Sequence, residues 1–310
     1  AELNIEGKAA FVTEWASTEI AGNGALVYIV FKENPAESGK IYLLRSEDFG
    51  KTFTKPIPIV VPNGFLCRFP AVAIDANNQP VVSYMRFNTD WSEPRYVSIR
   101  SNDFGNSFDT FKEVMDKSLG EACDCCPVTL IADQDRTAVL FRNNRNNIRN
   151  MTAAVSFDKG INYTLAKELD TLDWTLFSCP STGGDAFFSD QSLNTTWISG
   201  RTGTNKAYYS KLNLTSGKLE DFRAITNSLG RNLQQTDPRI SGKGDTIGIC
   251  WNELATGMDA FFSYFVGNNS KNLETNVVRI NTTANGNQSG SDMGYLNSKF
   301  YITWKDASDY

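Results

Sequence analysis

Short stretches in which apolar and polar residues alternate recur along this chain at a fixed interval, and three of them run into the same eight-residue turn. Ile41-Tyr42-Leu43-Leu44-Arg45, Tyr96-Val97-Ser98-Ile99-Arg100 and Met151-Thr152-Ala153-Ala154-Val155 have the pattern of strands, not helices. Behind them come Ser46-Glu47-Asp48-Phe49-Gly50-Lys51-Thr52-Phe53, Ser101-Asn102-Asp103-Phe104-Gly105-Asn106-Ser107-Phe108 and Ser156-Phe157-Asp158-Lys159-Gly160-Ile161-Asn162-Tyr163, at intervals of 55 residues. In each turn the Asp carboxylate can accept backbone N–H groups, the Gly supplies a positive φ, and the final aromatic can fill the space between strands. Ser46, Asp48, Gly50, Ser101, Asp103, Gly105, Ser156, Asp158 and Gly160 are therefore structural residues, not site residues.

The interval continues through decayed copies at Ser210 and Ser263. A second strand precedes each turn, at residues 28–31, 83–86, 139–142, 196–199, 248–251 and 301–304, which makes six copies. A third strand precedes that one and often opens with proline, as at Pro70, Pro127 and Pro238. Six repeated antiparallel meanders predict an all-β, six-bladed β-propeller of four-stranded blades, a single domain over residues 1–310. The last blade has too few strands before the sequence stops, so a strand near residues 3–7 is expected to complete it.

Bulk properties narrow the function classes. A net charge of −5 and a pI near 5.0 disfavour nucleic-acid binding, which needs a basic footprint. No apolar run reaches the length of a membrane-spanning helix. The first residue is Ala1, which suggests a removed leader and a secreted or cell-envelope location. Histidine is absent, so Ser-His-Asp and Cys-His catalysis and imidazole metal ligation are excluded within the chain.

The Ser-x-Asp-x-Gly-x-[Thr/Ser]-aromatic turn resembles the Asp box of the sialidase superfamily, and the repeats cover nearly the whole chain. Strand direction puts these turns on one face and the strand-start segments, including Arg68, Arg86, Asp90, Arg142 and Arg201, on the other. The order Arg68-Phe69-Pro70, Arg86, Asp90 is similar to the sialidase carboxylate-binding arginines and acid–base aspartate, and Arg201 to a later carboxylate-binding arginine. Tyr295 is the candidate nucleophile that the resemblance implies. The pattern then departs: Met258-Asp259 stands where another arginine belongs, and Lys305-Asp306 where a glutamate belongs. The leading expectation is an exported propeller that binds a glycan or other small acidic ligand, or a protein partner in a cell-envelope assembly, without sialidase hydrolysis. The alternative is an exo-sialidase-type glycoside hydrolase.

Six cysteines add a third reading. Cys67, Cys123 and Cys179 recur every 56 residues, and Cys125 and Cys126 join them in Glu121-Ala122-Cys123-Asp124-Cys125-Cys126-Pro127. Five thiols are thus expected to converge at strand starts, while Cys250, inside an apolar strand, is expected to be a buried filler. Disulfides between blades, a site for a soft ion such as Cu(I) or Zn(II), and reduced structural thiols all remain open. The Cys-Asp-Cys-Cys-Pro run also resembles a branch of exported sialidase-like propellers of unassigned activity.

Overall fold

The computed structural model describes all residues except 1, 2, 4, 14, 15, 60–63, 227–232, 255, 256, 284, 285 and 308–310. Its strands form six antiparallel sheets that follow one another in chain order, grouped in two compact units.

The first unit holds three sheets and the segment Leu176–Ser181. Sheet one is β1 (Glu19–Asn23), β2 (Leu26–Lys32), β3 (Ile41–Ser46) and β4 (Ile57–Ile59). Sheet two is β5 (Phe65–Ile74), β6 (Pro80–Asn88), β7 (Arg95–Arg100) and β8 (Lys112–Glu113). Sheet three is β9 (Glu121–Ala122), β10 (Thr129–Asp133), β11 (Arg136–Asn144), β12 (Met151–Ser156) and β13 (Tyr163–Glu168), with β9 pairing against the end of β11.

The second unit holds the others. Sheet four is β14 (Gly184–Ser189), β15 (Ser192–Ser199), β16 (Lys206–Asn213) and β17 (Leu219–Ala224). Sheet five is β18 (Gln235–Lys243), β19 (Thr246–Leu254), β20 (Met258–Val266) and β21 (Val278–Arg279), with a short helix α1 (Asn272–Thr275) before its last strand. Sheet six has two strands among the described residues, β22 (Gln288–Leu296) and β23 (Lys299–Asp306).

Alternation along the strands explains how sheets become buried on both faces. In β2, Tyr28 and Val30 point into a core shared with Val82, Tyr84 and Val97 of sheet two. Ile29 and Phe31, on the opposite face, pack with Tyr42, Leu44 and Phe53. A larger core joins sheets two and three through Met85, Phe87, Tyr96, Val139 and Phe141. In the second unit, Trp251 and Ile249 pack with Ile198, Tyr209, Ile240 and Phe261.

The repeated turns have a common construction. Ser101 Oγ donates to Asp103 Oδ1 at 2.8 Å and accepts from Gly105 N–H at 2.7 Å, while Asp103 accepts from the backbone and hydroxyl of Ser107 at 2.8 and 2.6 Å. Ser46 and Asp48 make the equivalent bonds to Gly50 and Thr52. Ser156 and Asp158 bind Gly160 and Asn162 in the same way. Two successive positive φ angles reverse the chain, 58° and 85° at Phe104 and Gly105, with matching pairs at Phe49-Gly50 and Lys159-Gly160. The closing aromatics Phe53, Phe108 and Tyr163 pack against the apolar clusters.

The closing strand expected near residues 3–7 includes residue 4, which lies outside the described residues. Glu6 and Gly7 lie in a turn, and the following segment joins sheet one: Ala10 bridges Glu33, and Phe11 N–H donates to the Lys32 carbonyl at 2.7 Å. The segment around Ala10 extends the end of β2, and among the described residues none of the N-terminal segment forms a strand.

Candidate functional site

In the first unit, the starts of β5 and β10 and the ends of β6 and β11 lie at one end of their sheets, opposite the eight-residue turns. Arg68 sits near the start of β5, just before a bulge in which Phe69 adopts a φ of 51°. Its guanidinium lies 4.1 Å from the centroid of the Trp91 ring and 5.7 Å from that of Phe87. Phe87 and Trp91 meet edge to face at 5.1 Å, so the arginine rests on a preformed aromatic support. Among the described residues no carboxylate pairs with Arg68.

The other expected arginines are engaged differently. Arg86 lies against the rings of Phe65 and Phe111, which meet edge to face, and its Nε and Nη2 donate to Glu113 Oε1 at 2.9 and 2.6 Å. Arg95 donates to the second oxygen of the same carboxylate at 3.0 Å. The Arg86 fork is therefore filled from within. Arg142 is fully buried and donates to the Arg149 carbonyl at 2.8 Å, so it lies in the core and not on a ligand-facing surface.

Asp90 is exposed at a tight turn between β6 and β7. It accepts from Ser92 Oγ at 2.6 Å and Ser92 N–H at 3.1 Å, which hold its carboxyl below the usual carboxylate range. A general acid needs the opposite shift.

In the second unit, Arg201 follows β15 and donates through Nε to the Leu172 carbonyl at 3.0 Å. Tyr295 lies at the other kind of strand end, beside the β22–β23 hairpin, paired with Phe300 and in ring contact with it at 4.7 Å. The matching hairpin in sheet four joins β14 to β15, away from Arg201. Tyr295 is not brought to the strand-start end where a nucleophile is expected.

The cysteine run forms the densest chemistry in the first unit. Cys126 N–H donates to the Cys123 carbonyl at 3.1 Å, closing a tight turn, and Cys123 N–H is anchored to the Arg142 carbonyl at 2.9 Å. The Sγ–Sγ separations are 3.2 Å for Cys123–Cys126, 3.6 Å for Cys123–Cys125 and 3.9 Å for Cys125–Cys126. Cys179 comes in on the segment Leu176–Ser181, within 4.8 Å of Cys125 and Asp124. Leu176 holds that segment in place: its N–H donates to the Asn147 carbonyl at 2.9 Å, and its carbonyl accepts from Arg149 Nε at 3.3 Å. Arg149 also donates through Nη1 to Cys123 Sγ at 3.2 Å.

Hydrogen bonds from the Cys123 and Cys126 thiols hold the Cys125 thiol far below its ordinary value, whereas burial pushes Cys126 up. All six cysteines are free thiols, which corrects the disulfide expectation. Cys67 is also absent from the cluster. It lies inside β5, packed with Tyr84 and Val97, its Sγ 4.0 Å from the Gly39 carbonyl, beside the buried Lys32 amine. Three sulfurs converge and Cys179 adjoins them at Cys125, in place of the five expected. Cys250 is buried in β19 as expected.

Trp91, Glu113 and Arg149 were not singled out by sequence pattern. Trp91 had one usable signal, an aromatic directly after the candidate Asp90. Glu113 and Arg149 reach their partners across 27 and 26 residues, which no local pattern reveals.

No protein-family model matches the chain, and no curated protein matches it. Solved structures do. A protein of unknown function from Dyadobacter fermentans superposes with a TM-score of 0.63 at 11% identity, over 97% of this chain and 91% of that one. A subtype N11 neuraminidase-like protein of a flat-faced bat influenza A virus gives 0.53 at 10% identity, covering 91% and 77%. The Penicillium chrysogenum alpha-L-arabinanase complexed with arabinobiose gives 0.51 at 16% identity, covering 76% and 77%. These similarities show a fold shared with sialidase- and arabinanase-like propellers.

Proposed function

We propose that the six sheets are the blades of one sialidase-like propeller, with the eight-residue turns as its Asp boxes, that binds a carboxylated glycan at Arg68 without hydrolysing it. The observation that carries this reading is the Arg68 guanidinium, supported on Trp91 with no carboxylate partner among the described residues. A planar fork fixed over an aromatic ring can take a carboxylate through two parallel hydrogen bonds, and the ring beside it offers an apolar face to a sugar. The arabinanase of similar fold is complexed with arabinobiose, which supports a carbohydrate ligand.

Four placements weigh against hydrolysis in this reading. Arg86 is satisfied by Glu113, Arg142 is buried, Ser92 shifts the Asp90 carboxyl downward rather than upward, and Tyr295 lies beside the β22–β23 hairpin. Double displacement needs a proton-bearing acid and a nucleophile on either side of one sugar carbon.

Calorimetric titration with N-acetylneuraminic acid and with glucuronic acid tests the reading. Binding is expected for at least one acid, with Arg68→Ala weakening it about 10- to 100-fold, the loss of a charged bidentate contact of ~1.5–3 kcal/mol. The methyl ester of the same sugar is expected to bind as weakly as the variant does to the acid. Equal binding of acid and ester overturns the carboxylate reading, and saturable binding of an envelope protein with no sugar bound favours the partner-protein alternative.

A further inference from the structure

The cysteine cluster has a feature that sugar binding does not use. Arg149 is almost wholly buried, at 8% exposure, and the groups facing its donors are the Leu176 carbonyl and the Cys123 sulfur, with no carboxylate partner among the described residues. A buried guanidinium needs a negative counterpart, and a neutral thiol is a poor one. Arg142, fully buried, acts electrostatically on Cys126. Two cations thus border a group of sulfurs.

The sulfur spacing fits coordination. A tetrahedral Zn(II) centre with bonds of about 2.3 Å places its sulfurs roughly 3.8 Å apart, and a trigonal Cu(I) centre gives a similar spacing. Cys123, Cys125 and Cys126 stand 3.2, 3.6 and 3.9 Å from one another, with Cys179 within 4.8 Å of Cys125. Cys179 is exposed, stands 3.9 Å from Asp124 Oδ1, and must move toward Cys123 and Cys126 to take the fourth position.

We propose that Cys123, Cys125, Cys126 and Cys179 bind one soft closed-shell ion, Zn(II) through four thiolates or Cu(I) through three. Either complex carries two negative charges, which Arg142 and Arg149 balance. Arg149 acts as a positioning residue: its Nη1–H bonds to Cys123 Sγ, and its Nε–H ties down the segment that delivers Cys179. Each thiol that becomes a ligand gives its proton to solvent as the ion enters. Cys67 and Cys250 lie outside the site.

The test uses the full chain, reduced and stripped with a chelator, then loaded with Zn(II) in air-free buffer or with Cu(I) under argon. After desalting, elemental analysis is expected to find one ion per chain in at least one arm, and X-ray absorption an all-sulfur shell. Retention in the zinc arm with four sulfurs or in the copper arm with three both support the site and decide its ion. Cys125→Ser/Cys179→Ser is expected to lower the retained ion at least tenfold while melting as a folded protein, and Cys67→Ser and Cys250→Ser are expected to retain it fully. Arg149→Lys is expected to weaken retention less than the double variant, with the sulfur shell unchanged. No ion in either arm, wild-type retention by the double variant, equal loss in Cys67→Ser, or a native mass showing the four thiols oxidised to disulfides each overturns the proposal. None of these outcomes depends on sugar binding.

Discussion

Glu113 grips Arg86 with a single oxygen, Oε1, which accepts from Nε at 2.9 Å and from Nη2 at 2.6 Å, while its other oxygen takes Arg95 at 3.0 Å. One carboxylate therefore bridges two guanidiniums at an end of sheet two, with Asp116 Oδ1 3.7 Å from Arg95 Nη2 as well. Arg86 is mostly buried against Phe65 and Phe111, so the pair is less screened than a surface bridge.

Glu113→Ala leaves Arg86 without its anion and Arg95 with Asp116 alone, and is expected to destabilise the protein by ~1–3 kcal/mol. Urea unfolding reads this as a lower midpoint with an unchanged slope. A midpoint equal to that of the wild type means that the pair is merely a surface contact.

The serine–aspartate turns make stability fall in acid. The Ser107 and Ser101 hydroxyls and the Ser107 N–H hold Asp103 down to about 2, and Thr52 and Ser46 hold Asp48 lower still. An unfolded aspartate titrates near ~3.9, so the folded value is the depressed one. The contribution is complete above about pH 4 and disappears as the pH falls through about 2. Asp103→Asn is expected to be less stable than wild type at neutral pH, with the gap closing between about pH 4 and 2. Thermal melts across that range check this, and a gap of constant size contradicts it.

Gly105 tests how far the repeat is fixed by packing. Its φ of 85° is strained for any other residue, and an added Cβ meets Leu43 Cδ2 at 2.5 Å and Pro80 Cγ at 3.4 Å. Gly24 shares the positive φ, at 58°, but its Cβ meets nothing within 4 Å. Gly24→Ala is expected to cost ~1 kcal/mol and Gly105→Ala ~1–3 kcal/mol more, through the forced shift of Leu43. Equal melting temperatures for the two variants contradict the packing role.

Thiol chemistry separates the cysteines. Burial pushes Cys67 up to about 11 and Cys250 up to about 12, so neither supplies thiolate near neutral pH. Iodoacetamide at pH 8 is expected to leave both unlabelled in the folded, metal-stripped protein, while the half-buried Cys125, the one thiol held below its ordinary value, reacts. Peptide mass mapping checks this, and rapid native labelling of Cys67 contradicts its placement in the core.

Legibility from sequence followed the range of the interactions. The turn at Ser101 was readable because Ser101, Asp103, Gly105 and Ser107 bond to one another within seven residues. The 56-residue spacing of Cys67, Cys123 and Cys179 was real but misled about contact. β5 begins at Phe65, so Cys67 falls inside a strand opposite Arg86, whereas Cys123 and Cys179 fall in segments ahead of β10 and β14. Arg142 had the strand position of a ligand-facing residue, yet its guanidinium turns inward to the Arg149 carbonyl. Likewise, segment 3–7 had no pattern to show that the chain after it would pair with the end of β2. Periodicity locates strands, and it says little about which way a long side chain turns.

Rates of fluorogenic sialoside cleavage, measured with micromolar protein over hours at several pH values, bear most directly on the reading of a sugar-binding propeller without hydrolysis. No release above buffer is expected for the wild type, Arg68→Ala or Asp90→Asn. Wild-type turnover that both substitutions abolish would establish a working glycosidase and contradict that reading.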